Sequence, residues 1–317
     1  MKPFNIFPYD SRIDFMRQRW VSLTIALVLM FVAIGGIAFK GFNFALDFTG
    51  GVGVELRYAK PVDVDGVRAR LQGGGFESPV VQNFGTGNEL LVRLQTGEAD
   101  DGAAQMTSIG QRVAQLASTP DNPATLRSSA QVSAQVGREL AVNGVWALIF
   151  VVVGFLIYIS FRFEKKFAIA AVITTLHDVV LVLGWFALTG HEFDLTVLAG
   201  VLSVMGYSIN DTIVVFDRVR ENFRSMRADP VSVLNASVNQ TLSRTVITSF
   251  VAFLTVFALY LYGGGSLRGM AEAQIIGILI GTLSTIFVAC PLLLWLGVTK
   301  QDLLPKARDE AALARRP

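Results

Sequence analysis

The residues most able to do chemistry are polar side chains inside an apolar stretch, residues 197–222, with the sequence VLAGVLSVMGYSINDTIVVFDRVREN. From Val197 to Met205 every residue is apolar, Gly or Ser, and Asp211 follows before the stretch ends in charged residues. An ionised side chain at the centre of a membrane helix costs roughly 2.5–3.5 kcal/mol on insertion scales. We therefore expect Asp211 either to have a function or, as the alternative, to be a structural residue hydrogen-bonded between helices.

Several polar residues of this stretch share one helical face, because residues three and four apart are neighbours on a helix. That face is formed by Ser203, Tyr207, Asn210, Asp211 and Val214. We expect it to face other helices or a wet cavity rather than lipid.

A second charged residue, Arg244, begins a later apolar stretch, and an antiparallel pair of helices would bring it to the depth of Asp211. An opposite charge favours an ionised carboxylate, whereas burial favours the protonated form. A carboxylate that is paired in one conformation and unpaired in another can carry a proton, so Asp211 and Arg244 are the predicted proton relay. The alternatives are a permanent ion pair, and an Arg244 that only extends to the membrane interface.

Further polar residues are candidates for supporting this relay or for packing the helices: Asn210, Tyr207, Ser208, Thr245, Thr248, Ser249, Asp178 and His177. Small hydroxyl side chains commonly pack membrane helices, and we favour that role for Thr245, Thr248 and Ser249, each taken singly. His177 can titrate near neutral pH, although a satisfied buried pair with Asp178 is the favoured interpretation. The two residues lack a third metal ligand, so no metal or other cofactor is expected.

Composition indicates a polytopic membrane protein. The chain has 317 residues, a mean hydropathy of +0.51 and 16% charged residues, against roughly 25% in soluble domains. About 20 apolar residues cross the hydrocarbon core as a helix. The predicted fold is therefore an α-helical membrane protein with six transmembrane helices, at 20–39, 140–161, 167–189, 195–216, 244–262 and 271–296. Pro291 is expected to kink the last of them.

Residues 40–139, between the first and second spans, are polar and follow a different pattern. Alternating and helical periodicities predict strands at 51–58, 79–84, 89–95 and 126–136, and helices at 63–71 and 101–118. The order βαββαβ predicts a ferredoxin-like α+β domain.

The distribution of Lys and Arg predicts the orientation in the membrane. Sixteen lie in segment 1–19, in the loops after the second and fourth predicted spans, and in the tail, 298–317, against one in the two short loops on the opposite side. We therefore expect both termini to be cytoplasmic and residues 40–139 to be periplasmic.

Four motifs resemble those of the SecF family, the smaller subunits of the bacterial SecD–SecF protein-export complex. They are FALDFTGG at 44–51, GREL at 137–140, MGYSINDTIVVFDRVREN at 205–222 and TLSRTVITS at 241–249, in family order. Within the first, Asp47, Thr49, Gly50 and Gly51 form a predicted joint between helix and domain. There the two glycines permit backbone angles that other residues resist, and Asp47 could cap a local turn.

The resemblance implies a half-transporter of the RND superfamily in the bacterial inner membrane. It implies SecD and the SecYEG channel as partners, YajC as a further candidate, and use of the proton gradient to help export unfolded polypeptides. No nucleotide-binding motif is present, and neither a nucleic-acid partner nor an enzymatic activity is expected.

Two other functions stay open. One is half of a proton-coupled exporter of small molecules or lipids. The other is an intramembrane aspartyl protease that uses Asp178 and Asp211, although Asn210 stands where the G-x-G-D pattern would require Gly.

Overall fold

The structure is a computed structural model that describes residues 11–76, 79–84, 88–94 and 103–303. Six helices in these ranges are long and apolar enough to cross a membrane. They accompany a mixed α/β domain, so the predicted fold class is confirmed. The membrane helices are α1 (Arg19–Phe39), α5 (Ala134–Arg162), α6 (Lys165–Thr189), α7 (Leu195–Ser225), α8 (Pro230–Tyr262) and α9 (Gly265–Ser284), the last continued by a π-helix and α10 (Cys290–Trp295).

Several helices extend beyond the apolar spans seen in the sequence. α8 begins fourteen residues before Arg244, where Asp229 accepts a hydrogen bond from Ser232 N and Pro230 occupies the first turn. These are typical helix-start features. Hydropathy detects only the part of such a helix that is apolar, so the polar first turns were missed.

The last membrane helix is irregular just before Pro291, where the sequence predicts a kink. Residues Thr285–Ala289 form a π-helix directly before α10. Proline has no backbone N–H to donate to the preceding turn, and such a missing bond favours a local change of helical pitch.

The α/β domain lies between α1 and α5 in sequence. Its strands are β2 (Gly51–Arg57), β3 (Val80–Phe84), β4 (Glu89–Leu94) and β5 (Thr125–Val132), and its helices are α3 (Val64–Gly73) and α4 (Ala103–Ala117). The antiparallel sheet has the order β3-β4-β2-β5, which is the ferredoxin-like order predicted from the pattern. Val52, Val54 and Leu56 alternate along β2 and are buried in the core that α3 and α4 cover.

Helix α7 lies inside the helix bundle, packed against α6, α8 and α9. Two glycines of α9 allow close approach, because a Cβ atom on Gly277 would lie 2.1 Å from Val204 Cγ2 and one on Gly281 would lie 3.2 Å from Ser208 Cβ. The glycine pair therefore packs α9 against α7 within the chain. By contrast, α5 exposes large apolar side chains such as Trp146 and Phe150.

Candidate functional site

Asp211 is buried in the middle of α7, with 7% of its surface exposed. Its Oδ1 accepts a hydrogen bond of 2.9 Å from Thr245 Oγ1 on α8. Its Oδ2 is buried and has no hydrogen-bond partner among the described residues. A carboxylate with one oxygen satisfied and the other unpaired is costly to keep ionised in an apolar bundle.

Arg244 does not form the predicted ion pair with Asp211. No contact within 4 Å joins their charged atoms in the described part of the chain, and Arg244 is exposed. The reason is helical geometry: Thr245 points at α7, and the preceding residue is turned by about 100° around the helix. Arg244 nevertheless directly precedes Thr245, whose contact with Asp211 sets the level of this part of α8 beside α7. The relay role of Asp211 and Arg244 stays a prediction.

Two other candidates also lie away from Asp211. Asn210 is exposed on the surface of α7, so the predicted stripe does not face inward along its whole length. Thr248 is exposed on α8 and donates to the backbone oxygen of Arg244 at 2.9 Å. Ser203, which precedes Asn210 by two turns on the same face of α7, is also exposed.

Hydroxyl groups continue from Asp211 along one side of α7. Tyr207 Oη donates to Ser249 Oγ at 2.6 Å, and Thr282 Oγ1 of α9 contacts the same oxygen at 2.8 Å. Ser249 in turn donates to the backbone oxygen of Thr245 at 2.7 Å. A cavity of about 260 Å³ lies next to Tyr207, and its lining combines the polar residues Ser203, Thr255 and Gln274 with apolar side chains such as Val204 and Ile278.

His177 and Asp178 form a buried pair on α6, with 3.0 Å between His177 Nδ1 and Asp178 Oδ1. Asp178 Oδ2 accepts hydrogen bonds from Ser208 of α7 at 2.5 Å and from Ser284 of α9 at 2.7 Å. Asp178 therefore joins three helices, and Ser208 belongs to this cluster rather than to Asp211. His177 Nε2 has no partner within the described ranges.

In the joint motif the two glycines have the backbone angles that the sequence predicts, but Asp47 has a different role from the predicted one. Gly50 has φ +70° and Gly51 has φ +121°, and a Cβ atom on Gly51 would lie 2.5 Å from the backbone oxygen of Leu94. Thr49 Oγ1 donates to the backbone oxygen of Ala45 at 3.1 Å.

The sequence predicts that Asp47 caps a local turn, but in the structure it caps a distant helix instead. Its Oδ2 accepts from the backbone N–H of Leu195 at 3.1 Å, in the first turn of α7. It reaches that turn because β1 (Asn43–Phe44) pairs in parallel with β6 (Glu192–Phe193), which immediately precedes α7. A motif more than 140 residues away in sequence thus caps the helix that carries Asp211.

The geometry does not support the aspartyl-protease alternative. The two intramembrane carboxylates, Asp178 and Asp211, have separate hydrogen-bond partners, whereas an aspartyl protease needs a pair that shares a proton. In the residues covered by the structure, no group of three or more His, Cys, Asp or Glu side chains could hold a metal ion.

Comparisons with known proteins agree with these motifs. Residues 112–299 match the family described as "Protein export membrane protein SecD/SecF, C-terminal", and residues 35–62 match the SecD/SecF GG motif. The protein translocase subunit SecF of Pseudomonas aeruginosa is 44% identical over 299 residues, covering 94% of this chain and 96% of its own. The SecF of Escherichia coli O157:H7 is 41% identical over 301 residues, covering 94% and 93%.

The fold is also similar to a solved structure, the crystal structure of SecDF, a translocon-associated membrane protein from Thermus thermophilus. The TM-score is 0.83 at 35% identity, and the match covers 92% of this chain but 40% of the SecDF chain. The chain thus spans less than half of that longer protein. It belongs to the SecD/SecF family of protein-export membrane proteins, as a translocase subunit of the SecF type.

Proposed function

We propose that this subunit works with SecD to promote export of unfolded polypeptides through SecYEG, driven by the proton-motive force. The observation that carries the proposal is the state of Asp211: a buried carboxylate whose Oδ1 accepts from Thr245 and whose Oδ2 has no hydrogen-bond partner in the part of the chain that the structure describes. Such a group can take up a proton without breaking a network, and intramembrane carboxylates commonly serve as proton carriers. The proposal assigns no enzymatic step to the chain.

The energy scale is adequate for this role. Moving one elementary charge across 100 mV releases about 2.3 kcal/mol, which shifts a two-state equilibrium by about 50-fold. Neutralising Asp211 removes the charge that Thr245 solvates, and so weakens the contact between α7 and α8. Protonation would therefore change how these two helices pack.

Exposed polar residues on α7 and α8 support association with SecD. Arg244, Asn210 and Thr248 are exposed on this chain, and a guanidinium facing lipid within the membrane is costly. A partner helix that covers Arg244 would remove the cost and bring it into the relay between subunits. YajC is a further candidate partner, on the family resemblance.

The proposed orientation places the chain in the bacterial inner membrane with both termini cytoplasmic and residues 40–139 in the periplasm. The α/β domain then lies on the side where the exported chain emerges. Its connection through Asp47 to the first turn of α7 offers a route by which helix movement reaches the domain.

The test is gradient-dependent export in proteoliposomes that contain the subunit with SecD and SecYEG. Asp211→Asn and Arg244→Met should lose the dependence on the gradient while inserting and co-purifying with SecD. Asp217→Asn is the matched control, because Asp217 lies on the same helix but in a partly exposed ion pair with Arg162. Normal gradient dependence in Asp211→Asn would refute the proposed role of this carboxylate.

Crosslinking of the α/β domain separates the proposal from a small-molecule or lipid exporter. Capture of a translocating polypeptide supports export of proteins. Capture only of a small apolar compound would favour the alternative.

A further inference from the structure

The loop between α6 and α7, residues 190–194, is held by the segment that leads into the α/β domain. β1 and β6 pair at Asn43 with Glu192 and at Phe44 with Phe193. Ala45 N donates to the backbone oxygen of Phe193 at 2.9 Å. The loop therefore receives its backbone contacts from a segment outside the helix bundle.

Arg93 of β4 reaches this loop from the domain itself. Its neighbours Val92 and Leu94 point into the domain core, so alternation along the strand turns Arg93 to the opposite face of the sheet. There it is buried, with 6% of its surface exposed. A buried guanidinium needs partners for its charge and its donors.

Those partners come from two other segments. Arg93 Nη1 donates to the backbone oxygen of Phe44 at 2.6 Å, and Nη2 donates to Asn43 Oδ1 at 3.2 Å. Nη1 also lies 3.4 Å from Glu192 Oε1 in the loop. One side chain of the α/β domain thus contacts both β1 and the loop before α7. The planar fork of Arg suits this arrangement, because it offers several donors in fixed directions.

The loop leads directly into two caps of α7. Asp194 Oδ1 accepts from Val197 N at 2.7 Å, and Asp47 Oδ2 accepts from Leu195 N at 3.1 Å. Three carboxylates therefore surround the start of this helix, and Arg93 supplies a positive charge that balances them. Release of Arg93 would leave Glu192 without its cationic partner beside the other two.

We propose that Arg93 and Glu192 are positioning residues that couple the α/β domain to the first turn of α7, the helix that carries Asp211. The contact itself is independent of the function proposed above. Its consequence for export rests on that proposed function, because it matters only if α7 moves during transport.

The contact is tested by hydrogen–deuterium exchange on the full chain with SecD in lipid nanodiscs. Arg93→Met keeps the apolar part of the side chain and removes the guanidinium, and Glu192→Gln removes the opposite charge. Glu192→Gln should raise exchange in residues 190–198 by about tenfold, the scale of one lost interaction with a charged group. Arg93→Met should raise it by at least as much, because it also removes the bonds to Phe44 and Asn43. The double variant should show no more than Arg93→Met alone, because that change already removes the contact with Glu192.

Arg127→Met is the matched control, because Arg127 pairs with Glu89 inside the same sheet at 2.9 Å. It should leave exchange in the loop unchanged. The proposed contact would be overturned if the two increases in exchange multiply in the double variant. It would also be overturned if the loop of the single variants exchanges as slowly as in the unchanged protein. If Arg93→Met fails to fold, Glu192→Gln still decides the matter.

The export assay then separates the two proposals. If Arg93→Met raises exchange in the loop and also lowers gradient-dependent export while Arg127→Met does not, the coupling serves transport. If the loop is released but export is unchanged, the positioning role in transport is refuted. If Asp211→Asn retains gradient dependence while the loop is released as expected, the contact stands and the proposed function fails.

Discussion

Removing the hydroxyls that contact Asp178 should destabilise the helix bundle. Asp178 has no exposed surface, and its Oδ2 accepts from Ser208 at 2.5 Å and from Ser284 at 2.7 Å. Ser284→Ala and Ser208→Ala each remove one of these donors with little change in volume. The bonds cross from α6 to α7 and from α6 to α9, so each variant weakens a contact between helices rather than within one.

The expected loss of unfolding free energy depends on the acceptor, the carboxylate of Asp178. Hydrogen bonds to charged groups contribute about 1.5–3 kcal/mol in proteins, whereas bonds between membrane helices average about 0.6 kcal/mol and reach about 1.7. Asp178 is fully buried, and water cannot replace the lost hydroxyl. We therefore expect about 1.5 kcal/mol for each single variant, near the upper end of the membrane range. The loss should shrink by about half when Asp178→Asn makes the acceptor neutral.

The assay is unfolding of the purified chain in mixed detergent micelles, followed by tryptophan fluorescence. Ser160→Ala is the matched control, because Ser160 is exposed on α5 and donates within its own helix, to Leu156 O at 2.6 Å. It should change the free energy of unfolding by less than about 0.5 kcal/mol. Losses at Ser208 and Ser284 no larger than at Ser160, or unchanged by Asp178→Asn, would refute the reasoning.

Two further predictions concern packing and pH. Gly277→Ala should cost about 1–3 kcal/mol of unfolding free energy through overpacking, because its Cβ would lie 2.1 Å from Val204 Cγ2; adding Val204→Ala should recover part of this in the same assay, and a further loss would contradict it. Burial raises the pKa of Glu192. The charge of Arg93 opposes this shift, whereas two neighbouring carboxylates, Asp194 and Asp47, add to it. The folded protein then keeps a proton that the unfolded chain has released above its ordinary pKa of about 4.3, so the free energy of unfolding should fall as pH rises through the raised pKa. Glu192→Gln should flatten this dependence in unfolding measured across that pH range, and an unchanged slope would count against it.

The sequence was informative where a pattern has a local cause. Six apolar stretches and the βαββαβ order were enough for the fold class, because hydropathy and strand alternation are set by which face of each element is buried. Gly50 and Gly51 likewise signalled positive φ angles, which the structure shows. In each case the residues that carry the signal lie close together in the chain.

Contacts between helices were harder to predict from the sequence. Antiparallel order predicts a similar depth for Arg244 and Asp211, but it does not predict the rotation of α8, and that rotation gives the contact to Thr245 instead. Arg93 gave no signal at all, because a single arginine on a strand resembles any exposed charge until its partners in a distant loop are known. Its apolar neighbours Val92 and Leu94 indicate only that Arg93 points to the opposite face of the sheet.

The two buried carboxylates differ in how completely they are satisfied, and this difference bears on which helix can move. Asp178 has partners for both oxygens: Oδ1 contacts His177 on the same helix, and Oδ2 holds α6 to α7 and α9. Thr212 of α7 also lies 3.2 Å from Thr285. Sliding α7 against α9 would break several of these bonds at once. Helix α7 also bonds to α8 through Tyr207 with Ser249 and through Asn222 with Ser237 and Gln240. Of these bonds and the bond from Thr245 to Asp211, only the last has a carboxylate acceptor, so its strength follows the charge of that carboxylate. A change in that charge therefore acts at the junction of α7 and α8, so α6, α7 and α9 are expected to move together as one unit relative to α8.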